Sequence, residues 1–422
     1  MNIRVLVTSI ILFGSFVSHE ALSQVPSKRE YVRPKSQAEA LVRRVLKTSP
    51  VIDGHNDLLR AYFDCRDCPR DLPTYLLNTQ TKGQTDIPRW RKGGVGAQLL
   101  NVFGSELTPE SYLNGVDLVD RMQAMYSKDL KIALTAAEVR MTMRDGKIAL
   151  IPSMESSIRL NNSMALLRTF YRLGLRSVTF AYDTNDLADG SDDEPRHNGI
   201  SNFGKEMVKE MNRLGIMVDI SHVSAKAMND VLDNTSAPVI FSHSNAKALC
   251  NVNRNVPDEV LDRLKKNDGI IMLTFVPYFT TNEFSEWYLR GESHWEQLDK
   301  KHKGDRPKIV ADFTSWEKAN PEPTVTIADM ADHFDHVKRR IGTRHIGMAG
   351  DFDGIDFFIK GLEDVGMYPN LLVELARRGW TENELKKITG ENFLRVFAEV
   401  ESKAAALQKT MQPSMVKFVE KK

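Results

Sequence analysis

The chain has 422 residues, 57 of them basic and 56 acidic for a net charge of +1, and a hydrophobic share of 41%. Once an N-terminal segment is set aside, that length suits one large barrel-type domain or two ordinary ones, with enough apolar material for a core. So even a charge balance leaves no field to attract nucleic acid or an anionic membrane, and partners of those classes are not expected.

The chain opens "MNIRVLVTSIILFGSFVSHEALSQ". Arg4 supplies a basic start, Val5 to Val17 an apolar stretch, and Ala21-Leu22-Ser23 the small-x-small pattern at which a secretory leader is cut. Residues 1–23 are therefore expected to be a signal peptide and 24–35 a linker. The stretch is short for a bilayer span, and no later apolar run reaches the required length. At the other end, residues 406–422 form a charged tail without the hydrophobic finish of a glycolipid-anchor signal. A protein of the secretory pathway, extracellular or at the cell surface, is expected. In that setting Asn161-Asn162-Ser163 and Asn234-Thr235-Ser236 are candidate glycosylation sequons.

Three cysteines are too few for a disulfide-built scaffold. Cys65 and Cys68 form a C-x-x-C that could close a small loop disulfide, since a zinc knuckle would need two more ligands nearby. Cys250 reads most simply as a buried thiol.

Between residues 36 and 405, apolar runs near 50–54, 95–102, 147–153, 176–181, 216–220, 237–242, 269–275 and 344–349 alternate with helical patterns. Two of those patterns carry clear punctuation. "SMALLRTFYRLG" can be capped by Ser163 and ended by Gly174, and "SNFGKEMVKEMNRLG" likewise by Ser201 and Gly215. Repeated strand-then-helix units predict a parallel sheet, and eight of them predict a closed α/β barrel of the (β/α)8, TIM-like type. Its active site would lie at the carboxyl ends of the strands. An open doubly wound sheet is the alternative, but no glycine fingerprint for a dinucleotide or phosphate loop supports it.

The strand ends carry the chemistry. "VIDGHNDLLR" places His55 and Asp57 two positions apart, on one face if the strand continues through them. Glu155 follows the third run, His222 the fifth, His243 the sixth, and Asp351 the eighth, within "GDFDG". A single such residue is ordinarily a turn or a satisfied core histidine. Core packing would not gather six imidazoles and carboxylates at five strand ends of one barrel. Nitrogen and oxygen donors of this kind suit a zinc-like ion, and their number suits two. His55 and Asp57 would hold one ion and His222 and His243 the other, with Glu155 bridging and Asp351 carrying protons. A water shared by two such ions has its pKa lowered from about 15.7 toward roughly 7, which yields a hydroxide nucleophile. Asp351 would take up the proton and return it to a leaving amine.

"VIDGHNDLL", "TDIPRWRKGGVGAQLLNVF" (85–103), "DISHVS", "APVIFSHSNAKALCNVNRNVPDEVL" and "GDFDG" together resemble the membrane (renal) dipeptidase family over roughly residues 40 to 400. The resemblance implies a binuclear zinc barrel that hydrolyses dipeptides, including those with a D-residue on the carboxyl side, or other small amides, often as a homodimer. It implies His55, Asp57, Glu155, His222 and His243 as metal ligands and Asp351 as the proton-transfer group. It also implies that Arg254, in "NRNVPD", grips the substrate's terminal carboxylate, a task that suits a guanidinium. Without the resemblance Arg254 would pass for a surface arginine paired with Asp258.

The chain departs from the family pattern at three places. Tyr182, in "SVTFAYDTNDL", stands where the family has a histidine that contacts the substrate carbonyl, so both substrate binding and catalysis fall to a neutral phenol there. Ser156-Ser157-Ile158 replace a glycine-rich continuation after Glu155, and Cys250 lacks the family's disulfide partner in "YFTTNEF". Tyr182 motivates an alternative, a metal-binding relative with weak or no catalysis that acts as an extracellular binding protein. A different amidohydrolase, such as a deacetylase or lactonase, is disfavoured by the H-x-D opening and by Glu155 in place of a lysine bridge. Residues 281–323 read as a long mixed-charge insertion with no evident chemistry, its His294 and His302 expected to be solvated.

Overall fold

Eight parallel strands close into a ring in the computed structural model, which describes residues 32–63, 72–103 and 106–419. The expected leader at 1–23, Cys65 and Cys68 lie outside the described residues. The strands are β1 (Val51–Asn56), β2 (Val95–Asn101), β3 (Leu130–Ile132), β4 (Ile148–Met154), β5 (Ser177–Thr179), β6 (Met217–Asp219), β7 (Ile240–Phe241), β8 (Ile270–Thr274) and β9 (Ile346–Ala349). Pairing runs from β4 through β5, β6, β7, β8 and β9 to β1 and β2, and the β2–β4 pair closes the ring. Each ring strand coincides with a predicted apolar run. β3 was not predicted: it lies outside the ring, pairs with β4, and is short and only partly buried. β4, β8 and β9 are buried along their whole length, which is why they read as near-continuous apolar runs rather than alternating ones.

The helices begin where the side chains dictate. Ser163 caps the helix Met164–Arg172 by accepting from the Leu166 N–H, and Ser201 caps Asn202–Leu214 by accepting from Gly204. The last helix, Asn392–Leu407, packs Phe393, Phe397 and Val400 against Ile52, Met217, Ile240 and Ile270, which lie near the amino ends of their strands. That end of the barrel is therefore stoppered with apolar side chains, and the carboxyl ends are left for chemistry. Within the ring, Gly54 is obligatory. A Cβ there would fall 2.2 Å from the carbonyl oxygen of Ser242, so a larger residue would push β1 away from the end of β7.

Two peripheral segments behave differently from their sequence. In the tail, residues 408–419 lie against the barrel: Ser414 bonds Arg168 and Glu210 through its backbone, and Phe418 packs edge-on against Phe203. The insertion folds into a hairpin of the helices Asn282–His302 and Arg306–Ala319, with a small core of Leu298, Ile309 and Phe313. His302 is not solvated as expected but lies 2.8 Å from Asp312 Oδ2, and His294 stacks on Trp316. At the hairpin's base, Phe284, Trp287 and Tyr288 pack on Phe357, in the loop that follows β9. Among the described residues no helix is long and apolar enough to cross a membrane.

Candidate metal centre

All five expected metal ligands and Asp351 converge at the carboxyl ends of the strands. His55, near the end of β1, is buried, and its Nε2 has no hydrogen-bond partner among the described residues. That nitrogen lies 3.5 Å from Asp57 Oδ2, 3.7 Å from Glu155 Oε2 and 3.9 Å from Asp351 Oδ1. These separations are too long for hydrogen bonds. They are the separations of donors arranged around a shared cation, each able to reach it at about 2.0–2.2 Å. The other Glu155 oxygen, Oε1, lies 3.1 Å from His222 Nε2 and 3.4 Å from His243 Nε2. The two imidazole nitrogens are 2.8 Å apart, and the His55 and His243 rings stack at 3.9 Å. Glu155 thus turns one oxygen to each half of the cluster. An orphaned buried imidazole nitrogen, two further imidazoles and three carboxylates form a donor set that fits divalent ions.

The backbone bends sharply to aim these groups. His222 at φ 66°, Asp351 at φ 56° and Ser156 at φ 68° are in the left-handed region that non-glycine residues avoid. Strain of this kind costs about 1–3 kcal/mol per residue and collects at functional sites. Ser156 shows what the unusual Ser156-Ser157-Ile158 segment does. It turns the chain just past Glu155, while Ser157 Oγ donates to the Phe180 carbonyl and Arg159 donates to that of Glu155. Gly354 is needed for a related reason, because a Cβ there would meet Asp57 Oδ2 at 2.2 Å.

The electrostatics match a cation site. Burial would lower the pKa of His55, but the carboxylates of Glu155 and Asp57 reverse this and push it up to about 10, the response of a buried site whose negative charge favours a cation. Burial also favours a neutral Glu155, yet the charge on His55 and the facing imidazoles of His222 and His243 hold its carboxyl well below the usual range. His222 and His243 are shifted down, first by burial, and so offer neutral nitrogens. Asp351 is pushed up to about 7 by burial, with Asp57 and Glu155 adding to the shift against His55.

Arg254 is buried, not on the surface. It donates to Ser244 Oγ at 2.6 Å and to the His243 carbonyl at 2.7 Å, and its Nε has no hydrogen-bond partner among the described residues. Asp258 pairs with His336 instead, at 2.8 Å. Burial lowers the Arg254 pKa, and Asp351 and Glu155 offset part of that shift. Tyr182 lies three residues past β5, 45% exposed, with its ring stacked on His222 at 4.4 Å. Desolvation of its covered part, then the Glu155 and Asp351 carboxylates, keep its pKa above the ordinary phenol value, so it remains a hydrogen-bond donor. Cys250 is buried, as expected, and forms no disulfide among the described residues.

Sequence reasoning missed Asn101, the last residue of β2. Its Nδ2 donates to Asp57 Oδ1 at 2.8 Å and to Glu155 Oε2 at 3.0 Å, and its Oδ1 accepts the Glu155 backbone N–H at 3.0 Å. It fixes two candidate ligands against each other. The available signal was its place: a polar residue ending an otherwise apolar strand.

The family model of membrane dipeptidase (peptidase family M19) matches residues 39–411. Dipeptidase tcpJ of Claviceps purpurea is 38% identical over 379 residues, covering 86% of this chain and 79% of that protein. Dipeptidase aclJ of Aspergillus oryzae is 33% identical over 408 residues, covering 90% and 87%. Among solved structures, a metallopeptidase from Rhodobacter sphaeroides bound to a phosphinate mimic of L-Ala-D-Ala superposes with a TM-score of 0.68 at 25% identity, covering 84% of this chain and all but 1% of that one, since 99% is matched. The probable dipeptidase PvdM from Pseudomonas aeruginosa shares the fold at a TM-score of 0.75 and 22% identity, covering 87% of this chain and 100% of that one.

Proposed function

Because the chain belongs to the membrane dipeptidase family, peptidase family M19, and is a metal-dependent dipeptidase, we propose that His55, Asp57, Glu155, His222 and His243 hold two zinc ions. The observation that carries this is the Glu155 carboxylate, whose Oε2 faces His55 while its Oε1 faces His222 and His243. It is suited to bridge. Bound there, the ions would supply Lewis acidity and lower the pKa of the attacking water from about 15.7 toward roughly 7.

The chain's own groups do the rest. Asp351 accepts the proton of the attacking water and delivers it to the leaving amine, as a carboxyl pushed up to about 7 is able to do. Arg254, desolvated and anchored through Ser244, binds the substrate's terminal carboxylate. Tyr182 donates a hydrogen bond to the carbonyl oxygen as negative charge develops on it. A purely binding role is not favoured, since a protonated phenol still supplies a donor at that position. Substrates with a D-residue on the carboxyl side are included, with support from the L-Ala-D-Ala mimic bound to the Rhodobacter relative.

The test is hydrolysis of L-L and L-D dipeptides by zinc-loaded protein, beside the same dipeptides with amidated carboxyl ends. Cleavage of the free acids with a marked loss on amidation supports both the activity and Arg254. Equal rates on acid and amide would remove Arg254 from substrate binding, and no cleavage of any dipeptide would contradict the proposed site.

The residue 1–23 leader pattern and the Asn161 sequon, whose asparagine is exposed, support a secreted glycoprotein. Family resemblance supports a homodimer. Light scattering that gives a single chain mass in solution would overturn the dimer.

A further inference from the structure

Beneath the histidines lies a carboxylate to which the chemistry above gives no part. Asp219, the last residue of β6, is buried and accepts four hydrogen bonds. Thr179 Oγ1 at 2.5 Å and Ser242 Oγ at 2.6 Å reach its Oδ2, and the backbone N–H groups of Ser221 at 3.1 Å and Ser242 at 2.9 Å reach its Oδ1. The same Ser242 Oγ lies 2.6 Å from His243 Nδ1.

Ser242 has one hydroxyl hydrogen to place between these two neighbours. Pointed at His243, it would leave two oxygens, Ser242 Oγ and Asp219 Oδ2, facing each other with lone pairs at 2.6 Å. Pointed at Asp219, it leaves the serine oxygen free to accept from His243 Nδ1–H, and every group is satisfied. We infer that Asp219 is a positioning residue that acts through Ser242 to hold His243 as the Nδ1–H tautomer, so that its unprotonated Nε2 is presented to Glu155 and the metal. Partners of this kind orient ligand histidines and set their basicity.

The same carboxylate ties neighbouring arms of the site together. Ser221, held by Asp219 through its N–H, accepts the His243 backbone N–H at 3.1 Å and lies 3.3 Å from Ser244 Oγ, which holds Arg254. The two histidine-bearing strand ends and the arginine are thus referenced to one buried group.

This inference rests on the proposed metal centre, and the experiment separates the two. The protein is labelled with ¹⁵N-histidine, the ring nitrogens of His243 are read by NMR without metal, and zinc affinity is measured by chelator competition. Asp219→Asn keeps the shape but lets an amide N–H donate to Ser242, which then turns its hydrogen onto His243 Nδ1. The expected result is a switch of His243 to the Nε2–H pattern and a loss of about 10–100-fold in zinc affinity. Ser242→Ala should lower affinity in the same direction, and Ser242→Thr, which keeps the hydroxyl, should retain it. Unchanged ring shifts and affinity in Asp219→Asn would overturn the inference. If that variant fails to fold, unchanged affinity in Ser242→Ala overturns it. A wild-type protein that takes up no zinc would defeat the metal centre instead, while the ring shifts would still decide the tautomer.

Discussion

The floor of the site and its rim are built on different principles. On the floor, His55, Glu155 and His243 stand at or beside the ends of buried strands, crowded by neighbours that leave little freedom: Asn101 clamps Asp57 to Glu155, and Ser242 locks His243. On the rim, Tyr182 is half open to solvent and leans on the ring of His222. The hairpin beside it meets the barrel through aromatic contacts, such as Tyr278 on Tyr288 at 4.4 Å and Trp287 on Phe357 at 5.5 Å. A preorganised floor with a loosely supported rim means that metal affinity and turnover should be separable by mutation.

The largest expected effect tests where the floor ends. Asp351→Asn should lower kcat by about 10²–10⁴-fold, the range for loss of a general acid–base group, with zinc content unchanged. A variant that loses an ion instead would make Asp351 a ligand, a role its closeness to His55 and Asp57 permits. Next comes the rim. Tyr182→Phe should lower kcat by about 10²–10³-fold without changing zinc affinity, and Tyr182→His should restore a donor and most of the rate. A loss of less than threefold in Tyr182→Phe would show that the phenol is not the donor.

The smallest effect on chemistry is expected in the hairpin. Phe313→Ala should remove about 3–5 kcal/mol from the local stability of the hairpin core, seen as faster hydrogen exchange across 282–319, with zinc content as in the wild type. Faster exchange at the strand ends as well, or lost metal, would show that the hairpin supports the floor, and the separation would fail.

The same division decides what the sequence revealed. The ring strands were legible because burial on both faces leaves largely apolar runs, and the candidate ligands were legible because each is an ionisable residue at or just past such a run. β3 was hidden by being three residues long and partly exposed. Asn101 and Asp219 were hidden because their roles depend on which strands pair: Asn101 reaches Glu155 across the β2–β4 pair that closes the ring, and Thr179 faces Asp219 across β5–β6. The burial of Arg254 also depends on a fold-back of its own loop, in which Ala246 bridges Val256. His302 looked solvated because its partner Asp312 lies on the second helix of the hairpin, ten residues away.

The most direct test of the central claim is a zinc titration of metal-stripped protein, with bound metal and dipeptide hydrolysis followed together. Activity that rises with uptake and levels off at two zinc ions per chain, with Glu155→Ala failing to reach that plateau, is the predicted result. Full activity in the stripped protein, or two ions held as tightly by Glu155→Ala as by the wild type, would contradict it.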